Sequence, residues 1–134
     1  RVLRAHLPEL ALAPHLHLPA GGLTPEDVRP HLSTGRLVSV AVHDEQEAHR
    51  ARGADLALVS PVFPPGSKPD DTRPPLGPEG FRRLASALPC PALALGGITT
   101  GRAPLLTGAA GFAVISSVLE AEDPEAAARA LCAG

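Results

Sequence analysis

Residues 91–117, PALALGGITTGRAPLLTGAAGFAVISS, contain two short apolar runs, and each run ends in small residues. The first run, Ala92–Leu95, stops at two glycines, and the second, residues 112–115, stops at two serines. Unbroken apolar runs of this length are typical of parallel strands covered on both faces. Small residues after such strands leave backbone N–H groups open to an anion, above all where a helix begins beside them. We therefore predict a phosphate site formed by Gly96, Gly97, Ser116 and Ser117.

The length and composition of the chain predict one domain over residues 1–134. A chain of this length buries a sizeable core, and the core must be aliphatic because there are three Phe and no Trp, Tyr or Met. The net charge of −2, without a basic or acidic block, argues against nucleic-acid binding. We find no signal peptide and no apolar run of membrane-spanning length, so we expect a cytoplasmic protein without a membrane partner.

The sequence predicts no metal site of its own. Cys90 and Cys132 show no metal-ligand spacing, and two incidental thiols in a reducing cytoplasm are favoured over a disulfide. His15 and His17 alternate along one predicted strand, but no carboxylate follows at a spacing that would complete a ligand set.

Three earlier apolar runs predict further strands, at His15–Leu18, Leu37–Val42 and Leu56–Val59. Helix signals follow each strand: Thr24 before a proline and two acids, a capping box at residues 44–47, a helix at 81–88, and Asp123 before a helix that runs to Gly134. Residues 2–13 are ambiguous between a helix and a broken strand, because Pro8 argues against one continuous helix.

The chain repeats a βα unit, which predicts a parallel sheet. Residues 53–60 resemble residues 108–116, since each stretch has a helix-ending glycine, a buried strand and then a serine. Right-handed crossovers place the carboxyl ends of all strands on one face, where sites in parallel α/β proteins lie. Five strands are fewer than the eight of a closed barrel. Either the sheet is open, or about three N-terminal βα units are missing from this sequence.

Two further features lie on the predicted functional face. His43 ends a strand and is our candidate catalytic residue, as a general acid or base; a hydrogen-bonded structural histidine is the alternative. Residues 63–80 contain six prolines and show no strand or helix period. A connection of this length is uncommon unless it is functional or disordered.

Five segments in order resemble the thiamine phosphate synthase and TenI (thiazole tautomerase) superfamily. They are HLPA (17–20), VSVAVHD (38–44), GADLALVSPVF (53–63), LALGGIT (93–99) and GFAVISS (111–117). The resemblance runs from about residue 14 to the C-terminus. It implies a (β/α)8 TIM barrel of which strands four to eight, the last five βα units, are present here.

The resemblance also implies a chemistry. In the synthase, a thiazole phosphate attacks a pyrimidine pyrophosphate, and Mg²⁺ helps the pyrophosphate to leave. By resemblance, Gly97 and the Ile115 and Ser116 amides hold the thiazole phosphate, while Ser67 and Lys68 contact the pyrophosphate. The expected partners are these two small molecules. We also expect a homodimer, because a five-stranded remnant exposes the edge of its first strand.

The sequence departs from the synthase pattern at several positions. Gly21 and Gly22 stand near the place of the acid that binds Mg²⁺, and Ala41 replaces a serine near the pyrimidine. Residues 17–27 resemble the TenI branch more closely, yet Pro61 aligns with its tautomerase histidine. An enzyme of thiamine biosynthesis and a non-catalytic binder of the same phosphate ligand both fit this pattern. Another phosphate-binding α/β barrel, or an open flavodoxin-like domain, is a third possibility.

Overall fold

The computed structural model describes residues 15–64 and 73–132. Within them, the chain alternates strands and helices, as the βα repeat predicts. The predictions for residues 2–13 and for Ser67 and Lys68 fall outside the described residues. The five strands are β1 (His15–Leu18), β2 (Leu37–Val42), β3 (Leu56–Val59), β4 (Ala92–Leu95) and β5 (Gly111–Ala113).

Within the described ranges, five α-helices and two short 3₁₀ helices connect or follow the strands. The α-helices are α1 (Pro25–Val28), α2 (Glu45–Arg50), α3 (Gly77–Ala87), α4 (Ser116–Leu119) and α5 (Pro124–Cys132). The 3₁₀ helices are Arg29–His31 and Ala103–Leu105.

The strands form one parallel sheet in the order β1-β2-β3-β4-β5. Each strand therefore lies beside the strand that precedes it in the chain, and the order never reverses. A doubly wound sheet reverses its strand order at a switch point, where its ligand binds. The continuous order excludes the flavodoxin-like alternative and confirms the singly wound arrangement of a (β/α) barrel.

The two faces of the sheet are buried to different degrees. Burial alternates along each strand, and the fully covered positions lie on the face that packs against the helices. Val40, Ala57 and Ala92 are neighbours in register across this face, and all three are buried. On the helical side, Phe81 and Leu84 are almost completely buried. The sequence, with few aromatics, thus makes the aliphatic core that its composition predicts.

The polar residues before the helices act as caps, with one difference from prediction. Thr24 and Asp27 form a reciprocal capping box, in which each side chain accepts a hydrogen bond from the other residue's amide. Asp44 caps α2 through the Glu47 amide, at 2.8 Å. The predicted capping box of residues 44–47 is wrong in its second half, because the Glu47 carboxylate accepts from the His43 amide instead.

Two element boundaries differ from prediction. The strand at residues 112–115 is one: β5 ends at Ala113, Ile115 has φ −126° and ψ −78°, and the unpredicted helix α4 follows. The other is α3, which begins at Gly77 rather than Phe81, because Pro78 fits the first turn of a helix. Two backbone bonds hold the start of α3 against the residues after β3: Leu76 N to Pro61 O (2.9 Å) and Gly77 N to Val62 O (2.8 Å).

Across residues 15–64 and 73–132, none of the helices has both the length and the apolar character needed to cross a bilayer.

Candidate functional site

The residues after β3 and after β4 are joined by backbone hydrogen bonds at the carboxyl end of the sheet. Val62 N donates to Leu95 O at 2.9 Å, and Phe63 N donates to Gly96 O at 3.0 Å. These bonds extend the strand pairing by two residues beyond the regular sheet. The glycine turn after β4 is therefore fixed against the residues that lead into the long connection before α3.

Both glycines of this turn are required by its geometry. Gly96 has φ +100° and Gly97 has φ +60°, in the left-handed region that glycine tolerates best. A Cβ on Gly96 would lie 3.0 Å from Pro61 Cα. A Cβ on Gly97 would lie only 2.6 Å from Pro64 O and 2.9 Å from Phe63 Cβ. The bare backbone at Gly97 thus allows the two loops to touch.

Arg102, which the sequence analysis missed, completes this contact. Its Nη1 donates to Gly97 O at 2.9 Å, and its guanidinium lies 4.9 Å from the centre of the Phe63 ring. The five-residue separation of Arg102 from Gly97 was the available signal. The sequence predicts a short helix between β4 and β5, but it does not show the turn, closed by Arg102 N to Thr99 O at 3.0 Å, that brings the Arg102 side chain back toward the glycine.

An open cleft of about 420 Å³ lies between this turn and α4. It brings together three of the predicted phosphate residues, Gly97, Ser116 and Ser117. Gly96 lies against Pro61 and is not part of the lining, and the Ile115 side chain is 54% exposed outside it. The complete lining is Pro64, Gly97, Ile98, Thr99, Arg102, Ser116, Ser117, Glu120 and Ala121.

The cleft offers hydrogen-bond donors from two chain segments. The amides of Ser116 and Ser117 belong to the first turn of α4, which has no intrahelical acceptor for them. The Gly97 and Ile98 amides also have no acceptor among the residues that the structure describes. Buried or half-buried amides are nearly always paired with an acceptor. We therefore expect a ligand or water to accept hydrogen bonds from these four amides.

The described lining of the cleft carries one positive and one negative side chain. Arg102 carries a permanent positive charge, and Glu120 at the end of α4 is the one carboxylate among the lining residues described. No ion pair joins them in the described part of the chain, so neither neutralises the other. The arrangement, with small residues, open amides and a guanidinium, suits an anionic group.

Comparison with known proteins identifies the family of this chain. The model of the thiamine monophosphate synthase family (TMP-TENI) matches residues 4–118. The chain belongs to this family. A thiamine-phosphate synthase of Chlorobium luteolum is 43% identical over 122 residues, a stretch that covers 88% of this chain and 57% of that protein. The chain therefore spans about half the length, or less, of the curated relatives that it matches.

Solved structures support the same family and its fold. Thiamine phosphate pyrophosphorylase from Pyrococcus furiosus is 30% identical and superposes with a TM-score of 0.71, over 90% of this chain and 58% of that one. The native KDPGal structure superposes with a TM-score of 0.60 at 21% identity, over 87% of this chain and 56% of that one, which shows the fold alone. Together with the strand order, these likenesses confirm the predicted (β/α)8 barrel class.

His43, the candidate catalytic residue, is held by one carboxylate. Its backbone amide and its Nδ1 both donate to Glu47 Oε2, at 2.7 and 2.8 Å. Both side chains are about one fifth exposed. His43 is not among the residues that line the cleft, and its Glu47 contact fits the structural alternative that the sequence left open. A catalytic role for His43 stays a prediction.

The end of β1 does not fit the Mg²⁺ that the synthase resemblance implies. Gly21 and Gly22 supply no side-chain oxygen there, and Gly22 O already accepts from Arg50 Nη2 at 2.8 Å. A guanidinium at this carbonyl opposes a second cation. In the described ranges, no three His, Cys, Asp or Glu side chains come together to hold a metal. We therefore derive no step through Mg²⁺.

The two cysteines are free thiols, which excludes the disulfide alternative in this structure. Cys90 is half-buried and Cys132 is exposed. Burial raises the pKa of the Cys90 thiol, and the nearby Asp55 charge acts in the same direction. A raised pKa leaves less thiolate at neutral pH, so Cys90 is unsuited to nucleophilic chemistry.

Proposed function

We propose that this chain binds the phosphate of a thiazole phosphate in the cleft between Gly97 and α4, as part of a thiamine-phosphate synthase. The observation that carries the proposal is the meeting of Gly97, Ser116 and Ser117 around one cleft with open amides. Relatives named thiamine-phosphate synthase are 38–43% identical to the chain, which supports the substrate class.

Within this proposal, the chain's own residues bind and orient one end of the substrate. The amides of Gly97, Ser116 and Ser117 hold phosphate oxygens, and the fixed backbone of the glycine turn sets their positions before the ligand arrives. Preorganised donors of this kind lower the entropic penalty of binding and of bringing two reactants together. The thiazole then attacks the pyrimidine pyrophosphate, whose contacts we assign to Ser67 and Lys68 as a prediction.

A non-catalytic role is the second candidate, and the end of β1 favours it. Arg50 donates to Gly22 O, and the described residues contain no metal-binding cluster, so the described part of the chain offers no Mg²⁺ site for the pyrophosphate. A protein that kept only the phosphate cleft would bind the thiazole phosphate without turnover. A TenI-like tautomerase would instead convert the thiazole phosphate alone, without the pyrimidine.

The phosphate site is tested by Gly97→Asp, with Gly101→Asp as the matched control. Aspartate at Gly97 places a carboxylate in the cleft and a Cβ against Pro64 O. Because like charges repel strongly at such a site, we expect thiazole phosphate affinity to fall about 100-fold or more. Gly101 has open space around its Cβ and does not line the cleft, so its variant should bind normally.

Calorimetric titration measures both variants, and circular dichroism shows that each is folded. If Gly97→Asp does not fold, the unmodified chain still tests the phosphate site, because a chain with such a site must bind the thiazole phosphate more tightly than the corresponding alcohol. Equal affinity for the two compounds contradicts a phosphate site. Turnover with and without the pyrimidine pyrophosphate then separates synthase, tautomerase and non-catalytic binder.

A further inference from the structure

Arg102 is the one cation among the described residues that line the cleft. Several other arginines, such as Arg29 and Arg129, pair with a carboxylate. In the part of the chain that the structure describes, Arg102 contacts a carbonyl oxygen and an aromatic face, and no carboxylate lies within ion-pair distance. An exposed guanidinium without a counter-charge is free to pair with an anionic ligand.

The contacts of Arg102 hold the guanidinium in one orientation. One of its five N–H donors bonds to Gly97 O, and the Phe63 ring supports its plane. The remaining N–H donors have no acceptor among the residues described. Because the planar fork is already positioned, little side-chain freedom is lost when a phosphate binds to it.

Arg102 also links two segments that the proposed reaction uses differently. Gly97 belongs to the turn beside the thiazole phosphate cleft, whereas Phe63 leads toward Ser67 and Lys68, the predicted pyrophosphate contacts. The Phe63 amide bonds to Gly96 O, so the ring and the turn are held together at the backbone as well. The guanidinium therefore lies between the glycine turn and Phe63 of the segment that follows β3.

We propose that Arg102 is the specificity-determining cation of this cleft, and that it selects phosphorylated over unphosphorylated ligands. The inference rests on the proposed function, because it assigns a charge to the site that the backbone amides outline. A purely structural contact needs a hydrogen-bond donor and an apolar stem, but no charge. The following variants therefore separate the effect of the charge from the effect of the side-chain shape.

The test compares Arg102→Gln and Arg102→Lys with the unmodified chain and with the control Arg52→Gln. Arg52 is exposed and takes no part in the cleft. Calorimetry measures the affinity of each protein for the thiazole phosphate and for the corresponding alcohol. Glutamine keeps a polar side chain with an N–H donor but loses the charge. For a charge-assisted bond at an exposed site, we expect Arg102→Gln to weaken phosphate binding about 10-fold and leave the alcohol unchanged.

Two further measurements respond to the charge of Arg102 and not to a purely structural role: the affinity of Arg102→Lys and the salt dependence of binding. Arg102→Lys keeps the charge without the planar fork, so we expect it to recover most of the lost affinity, to within about 3-fold of the unmodified chain. Raising salt from about 50 to about 500 mM should weaken the unmodified chain more than Arg102→Gln, because salt screens the charge that glutamine lacks.

The outcomes separate this inference from the function on which it rests. If the unmodified chain binds the thiazole phosphate no better than the alcohol, both the proposed function and the role of Arg102 are wrong. If it prefers the phosphate, and Arg102→Gln keeps that preference, only the role of Arg102 is overturned. Equal losses for the phosphate and the alcohol also overturn it, because they indicate that Arg102 merely supports the fold.

Discussion

The two ends of the parallel sheet differ in how far their polar groups are hydrogen-bonded within the protein. At the amino end of the strands, the Asp55 carboxylate accepts from the Val38 amide at 2.7 Å and pairs with Arg29. Arg29 also donates to Gly53 O at 3.0 Å and to Arg36 O at 2.8 Å. At the carboxyl end, the amides around the Gly97 cleft and most donors of Arg102 lack acceptors among the described residues.

This difference separates stability from binding within one sheet. The network at the amino end joins the segments that precede β2 and β3, and its donors and acceptors satisfy one another. The carboxyl end leaves donors open, which costs free energy unless water or a ligand occupies them. In parallel α/β barrels, residues at the amino end of the strands mainly stabilise the fold, whereas residues at the carboxyl end form the binding site. Variants at the two ends should therefore change different measurements.

The largest effect on stability is expected from Arg29→Ala at the amino end. The substitution removes three hydrogen bonds and the partner of Asp55. Because the side chain is 34% exposed, water replaces part of the loss, and we expect the free energy of unfolding to fall by about 2 kcal/mol. Urea denaturation measures this change, with the exposed Arg52→Ala as control.

The same variant also tests the separation of the two ends. The folded protein should bind the thiazole phosphate with unchanged affinity, since Arg29 does not line the cleft. A loss of affinity greater than about 2-fold, measured where the protein is fully folded, would show that the two ends are coupled. The amino end and the carboxyl end of the sheet would then not be independent.

Most of the fold could be predicted from the sequence, because local signals determine it. The apolar runs gave four strands with their observed bounds, and Thr24, Asp44 and Asp123 cap helices as expected. The end of β5 could not be predicted. Val114 and Ile115 continue an apolar run, and nothing local shows that the backbone turns into α4 there.

The residues that line the cleft could be predicted only in part, for a related physical reason. Glycines and serines at strand ends are local signals, and three of these four residues do meet around the cleft. Arg102 is a contact through space, made by a side chain that folds back onto Gly97 O. Glu47 likewise has two possible acceptor roles in sequence, and only the structure shows that it binds His43 rather than the Asp44 amide.

A smaller effect with a defined pH dependence is expected from Asp55→Asn. Burial raises the pKa of Asp55, but the hydrogen bonds from Val38 and Arg29 outweigh it, so the pKa lies below its ordinary value of 3.8. A carboxyl with a lowered pKa stabilises the folded state above its unfolded pKa, and this contribution disappears as the pH falls through the folded value. With a side chain 38% exposed, we expect a loss of about 1 kcal/mol near pH 7.

Urea denaturation of both proteins between about pH 7 and pH 2.5 measures the difference, in which other titrations largely cancel. The stability difference should be constant above about pH 5 and should shrink toward acid. Glu125→Gln is the control, because it breaks an exposed pair with Arg129 and should change stability little. A difference that stays the same down to pH 2.5 would mean that the charge of Asp55 does not stabilise the fold.

The smallest expected effect, and the finest test of the carboxyl end, is Glu120→Gln. Glu120 lines the cleft and brings a negative charge toward a bound phosphate. Because the residue is exposed and screened by solvent, its removal should raise thiazole phosphate affinity only about 2-fold at low salt and not at high salt. Glu122→Gln, exposed and outside the cleft, should change nothing. An equal gain from both variants would point to the net charge of the chain, whereas weaker binding by Glu120→Gln would mean that this carboxylate accepts a hydrogen bond from the ligand. Either result would contradict a site in which the open amides and Arg102 bind the phosphate and Glu120 alone opposes it.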